Sequence, residues 1–381
     1  MSSEDSPSDP PREFYIDTRE ALRSFVEEVS IEGLSSGECA VDTEADSMHS
    51  YETKLCLIQL AVPGSLAIVD PLAIGTERLG PLIDFLDRFE TVWMHGADYD
   101  LSLFRKTFGW MPSRVWDTQV AARLLGIEKY GLANLLHDEF GLTVSKQSQK
   151  ADWSRRPLKP KLLDYAYNDV RYLVEMGNRY LDRLREKERE SWFVESCEAA
   201  RLAVWERDEK PADSAWRVNG WGKLNRRGLL FLRELWFWRE RECEKLNRPV
   251  FKFVSNQDLL RIAEACASGD SFALPKGLRP QYARRMEETV RQARSIPQEE
   301  YPVKRMRSTG PRLDIDERRF DRLKAHRNRV ADQLGIDSTL IAPRQVLERL
   351  ASPNFSGDDR DRLLLSWQKD LLAEALEAVA S

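Results

Sequence analysis

Strand signals in this 381-residue chain are confined to its first half, and this division constrains the fold more than any other feature of the sequence. Lys54–Val62 (KLCLIQLAV) and Ser65–Val69 (SLAIV) are apolar runs with β-branched residues, and a Pro-Gly turn joins them. Glu38–Val41 and Thr91–His95 have the composition of shorter strands, and helical spacing fills the stretches between. We therefore predict an α/β domain, a mixed sheet flanked by helices, over residues 12–185.

Beyond about residue 185, apolar residues recur almost only at helical spacing. Residues 214–294 and 314–381 share one plan, a long helix ending in a basic, polar run, then a break and a second helix, which indicates two copies of one small helical module. We predict a disordered tail over residues 1–11, a helical connector over 186–213 and a linker over 295–313. A helix is expected after Asp98, and the other predicted helices are Thr76–Phe89, Thr118–Leu125, Leu132–Phe140, Lys159–Leu184, Leu224–Leu246, Asn256–Ala267, Pro280–Ala293, Asp316–Leu334, Ala342–Leu350 and Arg360–Val379.

Charge is distributed unequally between the two halves of the chain. Residues 1–177 carry 18 Lys and Arg against 29 Asp and Glu, whereas residues 178–381 carry 40 against 34. This asymmetry fits a metal site in the first half and a polyanion-binding role in the second, although chance variation of charged helix surfaces would also produce it. No apolar run is long enough to span a membrane, and the N-terminus lacks the features of a secretory signal, so we expect a cytoplasmic protein, and a monomer.

The metal chemistry open to the chain is limited by its cysteines and histidines. The five cysteines are scattered without a CxxC pair, and none of the four histidines is paired at ligand spacing. This pattern argues against a disulfide framework and against a zinc site. Any bound metal must then be held by carboxylates, which favours a hard cation such as Mg²⁺ or Mn²⁺.

Three short motifs carry candidate site residues. Asp42 and Glu44 stand two residues apart at the end of a strand, so their side chains project from the same face, where a divalent cation would relieve their repulsion. Asp100 lies in the first turns of the helix that follows the next buried strand, with Asp98 as the expected N-cap. Tyr165 and Asp169, at i and i+4, share one face of a helix. Alone, each motif is more often capping, packing or a solvated surface; their order and spacing together indicate one site.

The three motifs resemble those of the DEDD superfamily of 3′→5′ exonucleases, in its tyrosine-bearing subclass. The segments between them also resemble that family, from KLCLIQLAV to the run of Asp152-Trp153 and Arg156-Pro157-Leu158 that leads into the YAxxDV helix. The helical modules resemble the HRDC domain, Leu235–Ala263 closely and the second copy more loosely. This layout is similar to that of bacterial ribonuclease D.

The resemblance implies a ribonuclease H-like exonuclease domain and two HRDC-like modules, together with a reaction and a set of site residues. Two divalent cations, Mg²⁺ or Mn²⁺, would be held by Asp42, Glu44, Asp100 and Asp169, and Tyr165 would orient the attacking water. The expected reaction removes nucleoside 5′-monophosphates from the 3′ ends of structured RNA such as tRNA precursors. The candidate substrate-binding residues are Thr43, Gln59, His95, Lys146, Arg155 and Arg156.

Several alternatives remain open at this level. The same motifs serve DNA 3′→5′ exonucleases, and a non-catalytic nucleic-acid-binding scaffold is a further reading, disfavoured because all the acidic residues are present. Arg226, Arg227, Arg239 and Arg241 are candidate phosphate contacts, although a charged helix surface explains them equally well. The aromatic run Trp236–Trp238 is expected in the core of the first module rather than as a base-stacking platform.

Overall fold

A computed structural model describes residues 10–32, 37–144, 148–208, 211–304, 314–353 and 362–380. Within these residues the chain forms two compact units. The first joins Met1–Ala45, Leu55–Arg207 and Gly310–Ser381, and the second joins Asp46–Lys54 and Asp208–Thr309, as far as each range is described. In the described part of the chain, no helix combines the length and the apolar character needed to cross a membrane.

The first unit is built on one six-stranded mixed sheet, as the sequence predicts. The strands are β1 (Arg12–Ile16), β2 (Glu38–Ala45), β3 (Leu55–Val62), β4 (Ser65–Val69), β5 (Thr91–Met94) and β6 (Val115–Asp117), in the spatial order β1-β4-β3-β2-β5-β6. β3 pairs antiparallel with β2 on one side and with β4 on the other. β1, β5 and β6 pair parallel with their neighbours. β1 and β6 were not among the predicted strands.

Helices cover both faces of this sheet. They are α1 (Arg19–Glu32), α2 (Pro71–Ile74), α3 (Gly80–Leu86), α4 (Asp98–Phe108), α5 (Thr118–Leu124), α6 (Leu132–Phe140), α7 (Pro160–Arg171), α8 (Leu173–Glu186) and α9 (Glu190–Trp205). Successive strand residues point to opposite faces, so Ala40 and Val41 of β2 belong to separate apolar clusters. The cluster of Ala40 includes residues of α5, α7 and α8, and this is the face toward which Asp42 and Glu44 project.

The predicted helix Lys159–Leu184 is two helices, α7 and α8, which meet at Tyr172. Their boundary contains neither a proline nor a glycine, so the sequence gives no sign of it. The break leaves α7 packed on β2, β3 and β4, while α8 packs on β2 and β5. Tyr165 and Asp169 lie on α7.

The C-terminal segment packs into the core of the first unit. Its helices are α13 (Glu317–Leu334), α14 (Ser338–Ile341), α15 (Arg344–Leu350) and α16 (Ser366–Ala380). Leu323 and Leu372 belong to the same buried cluster as Trp93 of β5. The indole rings of Trp192 and Trp367 stack with their centroids 5.0 Å apart.

A buried arginine forms hydrogen bonds both to this segment and to a helix of the sheet domain. Arg189, only 6% exposed, donates one hydrogen bond of 2.7 Å to the carbonyl of Leu124 and another of 2.7 Å to the carbonyl of Leu334. These two carbonyls belong to the last residues of α5 and α13, where helix carbonyls have no partner within the helix. The guanidinium therefore satisfies two helix ends with one side chain.

The second unit contains three main helices, α10 (Arg226–Lys245), α11 (Asn256–Ser268) and α12 (Pro280–Arg294). Trp238 is buried in its core, and Trp236 and Phe237 pack against the same cluster, which confirms the prediction for the aromatic run. The segment Asp46–Lys54 belongs to this unit. The Tyr51 hydroxyl donates to a Glu240 carboxylate oxygen at 3.1 Å.

The two helical modules share one internal arrangement. In the first, Arg239 of α10 donates to the carbonyl of Val254 at 3.1 Å; in the second, Arg327 of α13 donates to the carbonyl of Ala342 at 2.7 Å. In both cases the acceptor lies 15 residues later. Eight residues after each arginine the backbone has a positive φ, at Asn247 and Gly335. The weak internal similarity of the sequence therefore corresponds to a shared three-dimensional plan.

Candidate active site

Three carboxylates from β2 and α7 converge on the face of the sheet that α7 covers. One ligand oxygen from each of Asp42, Glu44 and Asp169 lies within 4.8 Å of the other two. Asp42 and Glu44 are half-buried and Asp169 is buried. The prediction that Asp42 and Glu44 project together from the strand end agrees with this geometry.

Asp100, in the first turns of α4, lies outside this group of three, but its charge raises the pKa of both Asp42 and Glu44. It is buried, and its carboxylate accepts a hydrogen bond from the hydroxyl of Thr43, the residue between Asp42 and Glu44. Thr43 is itself buried, so its hydroxyl braces a carboxylate rather than facing solvent. The alternating direction of strand side chains thus puts Thr43 on the opposite face from its two acidic neighbours.

Asp98 does not cap α4, and that prediction is wrong. The N-cap is Ala97, and the Asp98 side chain is exposed and paired with Arg207. The amides of Gly96 and Ala97 instead donate to the two carboxylate oxygens of Asp117, each at 2.9 Å. The end of the neighbouring strand β6 thus holds the turn that leads into α4, and the local sequence around Asp98 could not reveal this contact.

Burial and mutual repulsion raise the pKa values of the four carboxyl groups. Burial raises the pKa of Asp42 well above its usual range, and the charges of Asp100, Asp169 and Glu44 raise it further. Burial, followed by the charges of Asp169 and Asp100, raises the pKa of Glu44 to about 9. Burial raises the pKa of Asp169 to about 7 and that of Asp100 to about 6, while hydrogen bonds from Tyr165 and Thr43 oppose these two shifts.

This set of donors fits a divalent metal ion. All the converging ligand atoms are carboxylate oxygens, which hard cations such as Mg²⁺ and Mn²⁺ prefer. Clustered carboxylates repel one another, and a bound cation removes that penalty. The raised carboxyl pKa values and the donor chemistry agree, so the cluster is a candidate metal centre.

Tyr165 lies one turn before Asp169 on α7, and its hydroxyl is hydrogen-bonded to the Asp169 carboxylate. Burial, followed by the charges of Asp169, Glu44 and Asp42, raises the pKa of the Tyr165 hydroxyl. The ring of Trp153 packs against it with the centroids 6.0 Å apart. The phenol is therefore held protonated beside the carboxylates.

Gln59 and His95 are two further predicted residues, and the structure gives each a setting away from solvent. Gln59 is fully buried on β3, directly opposite Asp42 in the antiparallel register, and neither polar atom of its amide has a hydrogen-bond partner. His95 follows β5; its Nδ1 is 2.9 Å from the Thr118 hydroxyl, and burial lowers its pKa. A fully buried Gln59 does not present a surface to a nucleotide.

Neither of the two predicted cations that the structure describes, Arg155 and Arg156, is paired with a carboxylate of the cluster. Arg156 is paired with the buried Asp70 and also donates to the carbonyls of Cys56 and Trp153, at 3.0 and 2.6 Å. Arg155 is exposed and paired with Asp152. Lys146 lies outside the described residues.

The Asp70 network was missed at the sequence level and supports the site indirectly. Besides Arg156, the Asp70 carboxylate accepts a 2.6 Å hydrogen bond from the hydroxyl of Tyr15 on β1. The network fixes the loop that carries Trp153, whose ring packs against Tyr165. An aspartate at a strand end was visible in the sequence, but its partners lie 55 and 86 residues away.

Comparison with known proteins agrees with this geometry. Residues 14–184 match the family model described as 3′-5′ exonuclease. A curated ribonuclease D of Gluconacetobacter diazotrophicus is 33% identical over 310 residues, covering 79% of this chain and 77% of the relative. The ribonuclease D of Escherichia coli K12 is 28% identical over 378 residues, covering 95% and 96%.

A solved structure supports the fold. The crystal structure of E. coli RNase D aligns with a TM-score of 0.70 and 24% identity over 96% of this chain and 97% of that one. The sheet and the helical segments of both units are therefore those of a known architecture. From the matching family model, the extent of the similarity and the converging acidic residues, the chain belongs to the ribonuclease D family of 3′→5′ exoribonucleases.

Proposed function

We propose that the protein shortens the 3′ ends of structured RNA, such as tRNA precursors, and releases nucleoside 5′-monophosphates. The observation that carries this proposal is the convergence of Asp42, Glu44 and Asp169 beside the tyrosine of the same helix. The similar E. coli protein is described as an exoribonuclease involved in structured RNA processing. RNA is thus the favoured substrate, and the cytoplasm the expected compartment.

The proposed catalytic residues divide into metal ligands and a water-orienting group. Asp42, Glu44, Asp100 and Asp169 would hold two divalent cations, Mg²⁺ or Mn²⁺, which when bound supply charge stabilisation for the attacked phosphate and the departing 3′ oxygen. Asp42 is the carboxylate whose pKa all three of the others raise. Thr43 keeps Asp100 in place through its hydroxyl.

Tyr165 would orient the water that attacks the terminal phosphate. Its raised pKa keeps the phenol protonated, so it acts through hydrogen bonds rather than as a base. The water oxygen forms a bond to phosphorus, the bond from phosphorus to the 3′ oxygen breaks, and that oxygen leaves with a proton. The products are a nucleoside 5′-monophosphate and an RNA shorter by one nucleotide.

The decisive experiment measures removal of 3′ nucleotides from an extended tRNA and from a matched single-stranded DNA, with Mg²⁺ and with Mn²⁺. Asp42→Asn should lower the rate at least about 10³-fold, because it removes the central carboxylate. Asp98→Asn is the matched control. Asp98 is an exposed acid two residues before Asp100, and its substitution should leave the activity unchanged. Retained activity in Asp42→Asn would sink the mechanism.

Tyr165→Phe tests the water-orienting role separately. It removes only the hydroxyl, so the rate should fall about 10²-fold while Mn²⁺ still binds, as followed by titration calorimetry. A loss of metal binding as large as the loss of rate would instead make Tyr165 a structural support of Asp169.

The substrate arms decide between two readings of the same site. Faster cleavage of the extended tRNA than of DNA supports the ribonuclease proposal. Faster cleavage of DNA would make the protein a DNA 3′→5′ exonuclease, and cleavage of neither under both metals would favour a binding scaffold.

A further inference from the structure

One side chain of β3 carries polar atoms into a region closed to solvent. Gln59 is fully buried, and in the described part of the chain neither Nε2 nor Oε1 of its amide has a hydrogen-bond partner. A buried amide without partners is costly, because the hydrogen bonds that it makes to water in the unfolded chain are not replaced. The other residues of β3 are apolar, so the strand itself gives no reason for an amide at this position.

The sheet places Gln59 beside the carboxylates of β2. In the antiparallel pairing of β2 with β3, Gln59 lies directly opposite Asp42, and Glu44 is its diagonal neighbour. Side chains directly opposite each other in an antiparallel pair project from the same face, with Cβ atoms about 5 Å apart. The amide of Gln59 is therefore within reach of the Asp42 carboxylate.

Apart from Asp42 and Glu44, the described strands offer Gln59 no free polar partner on this face. The carboxylate of Asp70, directly after β4, already accepts hydrogen bonds from Tyr15, from Arg156 and from two backbone amides. The remaining strand positions around Gln59 on this face are apolar and belong to one buried cluster: Ala40, Leu57, Ala61, Leu66 and Ile68.

The amide and the carboxylate are chemically complementary. An ionised carboxylate has only acceptor oxygens, with room for several hydrogen bonds, whereas the amide nitrogen of Gln59 carries two donors. A carboxylate that holds a metal ion spends part of its capacity on the ion and leaves the rest to neighbouring donors, which fix its orientation. An amide also carries no charge, so it adds neither repulsion nor a competing cation to the group.

Two carboxylates of the site already have a donor of this kind. The hydroxyl of Thr43 donates to Asp100, and the hydroxyl of Tyr165 is hydrogen-bonded to Asp169. Each donor is an uncharged side chain placed beside its carboxylate by the local strand or helix. An equivalent uncharged donor for Asp42 would complete this arrangement, and the facing position of β3 carries one.

We propose that Gln59 is a positioning residue that orients Asp42 toward the metal ion, with Nε2 donating to an Asp42 carboxylate oxygen when the site is loaded. The inference rests on the proposed metal-dependent function, and Gln59 itself takes part in no chemical step. This role replaces the substrate contact that the sequence suggested, because a fully buried side chain has no surface to offer to RNA.

The test is the affinity of the full chain for Mn²⁺, measured by titration calorimetry without RNA. Gln59→Met matches the length of the side chain and removes the amide, and it should weaken binding at least about 10-fold, the loss typical when a partner of a metal ligand is removed. Leu57→Met is the matched control on the same face of β3, opposite Glu44. It should keep the affinity within about twofold, because a volume-conserving change disturbs the strand little.

Three outcomes of the titration would overturn the assignment. They are an unchanged affinity in Gln59→Met, an equal loss in Leu57→Met, and an absence of Mn²⁺ binding to the unmodified protein. The last of these would also overturn the proposed function, whereas the first two would leave that function standing.

Thermal unfolding in EDTA distinguishes positioning from a structural role. Without metal, Gln59→Met should melt at the same temperature as the unmodified protein or higher, because the substitution removes a buried amide that has no partner. The same concentration of Mn²⁺ should then raise Tm less in the variant than in the unmodified protein. A lower Tm in EDTA together with an unchanged Mn²⁺ affinity would mean that Gln59 supports the fold, and would contradict the proposal.

Kinetics separate this role from substrate binding. In Gln59→Met, kcat should fall at limiting Mn²⁺ and recover to within about threefold as Mn²⁺ is raised, while KM for the extended tRNA stays unchanged. A raised KM that added Mn²⁺ does not correct would place Gln59 against the RNA and would contradict the proposal. If the Mn²⁺ affinity fell as expected but the unmodified protein hydrolysed neither RNA nor DNA, the proposed function would fail while the role of Gln59 stood.

Discussion

The two helical modules are built around equivalent buried arginines but use the following turn in opposite ways. In the second module, the turn after α13 meets the sheet domain, where Arg189 donates to the carbonyl of Leu334. In the first module, the turn after α10 carries the exposed cations Arg248 and Lys252, and its Asn247 side chain accepts a hydrogen bond of 3.1 Å from the Tyr51 amide. One plan thus provides an apolar turn packed on the sheet domain in one copy and a basic, exposed turn in the other.

The difference lies in a few side chains rather than in the backbone. Asn247 and Gly335 both have a positive φ at the aligned position, so the chain turns alike in both copies. The next residue is exposed Arg248 in one module and buried Ile336 in the other. Burial of a large apolar side chain stabilises by about 2 kcal/mol, whereas an exposed arginine adds little stability and remains available to a ligand.

The largest loss of stability is expected when the second module loses its hydrogen bond to Arg189. Arg189→Met should lower the free energy of unfolding by about 4 kcal/mol, because two buried helix-end carbonyls lose charged hydrogen bonds. Hydrogen exchange followed by mass spectrometry should show α13 exchanging faster while α10 is unchanged. The exposed Arg185→Met is the control, and equal effects of the two substitutions would contradict the role given to Arg189.

The next largest loss of stability is expected where Gly126 approaches the turn after α13. A methyl group on Gly126 would lie 2.1 Å from the Gly335 carbonyl oxygen, so Gly126→Ala should destabilise by about 3 kcal/mol. Gly141→Ala carries a similar positive φ with nothing within 4 Å and should cost only about 1 kcal/mol. Denaturant unfolding of both variants measures the difference in the free energy of unfolding. Equal losses would mean that the backbone at Gly335 can move away from the added methyl group without loss of stability.

The shared arrangement predicts a smaller, symmetrical effect. Arg239→Met and Arg327→Met should each destabilise their own module by about 2 kcal/mol, since each leaves a buried carbonyl unsatisfied. Local hydrogen exchange of α11 and of α15 should report the two losses separately. A module that tolerates the substitution would show that its copy of the arrangement is not needed for folding.

The smallest effect is expected for the exposed cations Lys252 and Lys276 of the first module. Lys252→Glu/Lys276→Glu should change the free energy of unfolding by less than about 0.5 kcal/mol, because the substituted side chains are exposed. Thermal unfolding beside the unmodified chain measures this change. A larger loss would mean that these two cations support the fold, and would weaken the contrast between the two modules.

The central strands of the sheet and the acidic residues could be predicted from the sequence because their signals are local. β4 has the predicted bounds, and β3 begins one residue later than predicted. Asp42 and Glu44 project together for a reason contained in the strand itself. Among the helices, α6 has the predicted bounds.

The remaining features depend on partners distant in the chain. β1 is recognisable only through its parallel pairing with β4, some 50 residues later. Arg156 appeared to be a free cation because Asp70 is 86 residues away. The cavity lined by Arg248, Lys252, Lys276 and Arg279 combines two stretches separated by the whole of α11, so no local window of the sequence contains it. The domain boundaries stay predictions, although Asp46–Lys54 joins the second unit rather than its neighbours in sequence.

The first unit takes its residues from three stretches of the chain, the last of which contains α13 to α16. Synthesis proceeds from the N-terminus, so the sheet with Asp42 and Glu44 leaves the ribosome before the whole of the first module and well before Leu372. Leu372 belongs to the same buried cluster as Trp93. A nascent chain therefore carries every proposed catalytic residue while part of that core is still unmade, and such a chain presents apolar surface to chaperones until its final helices are translated.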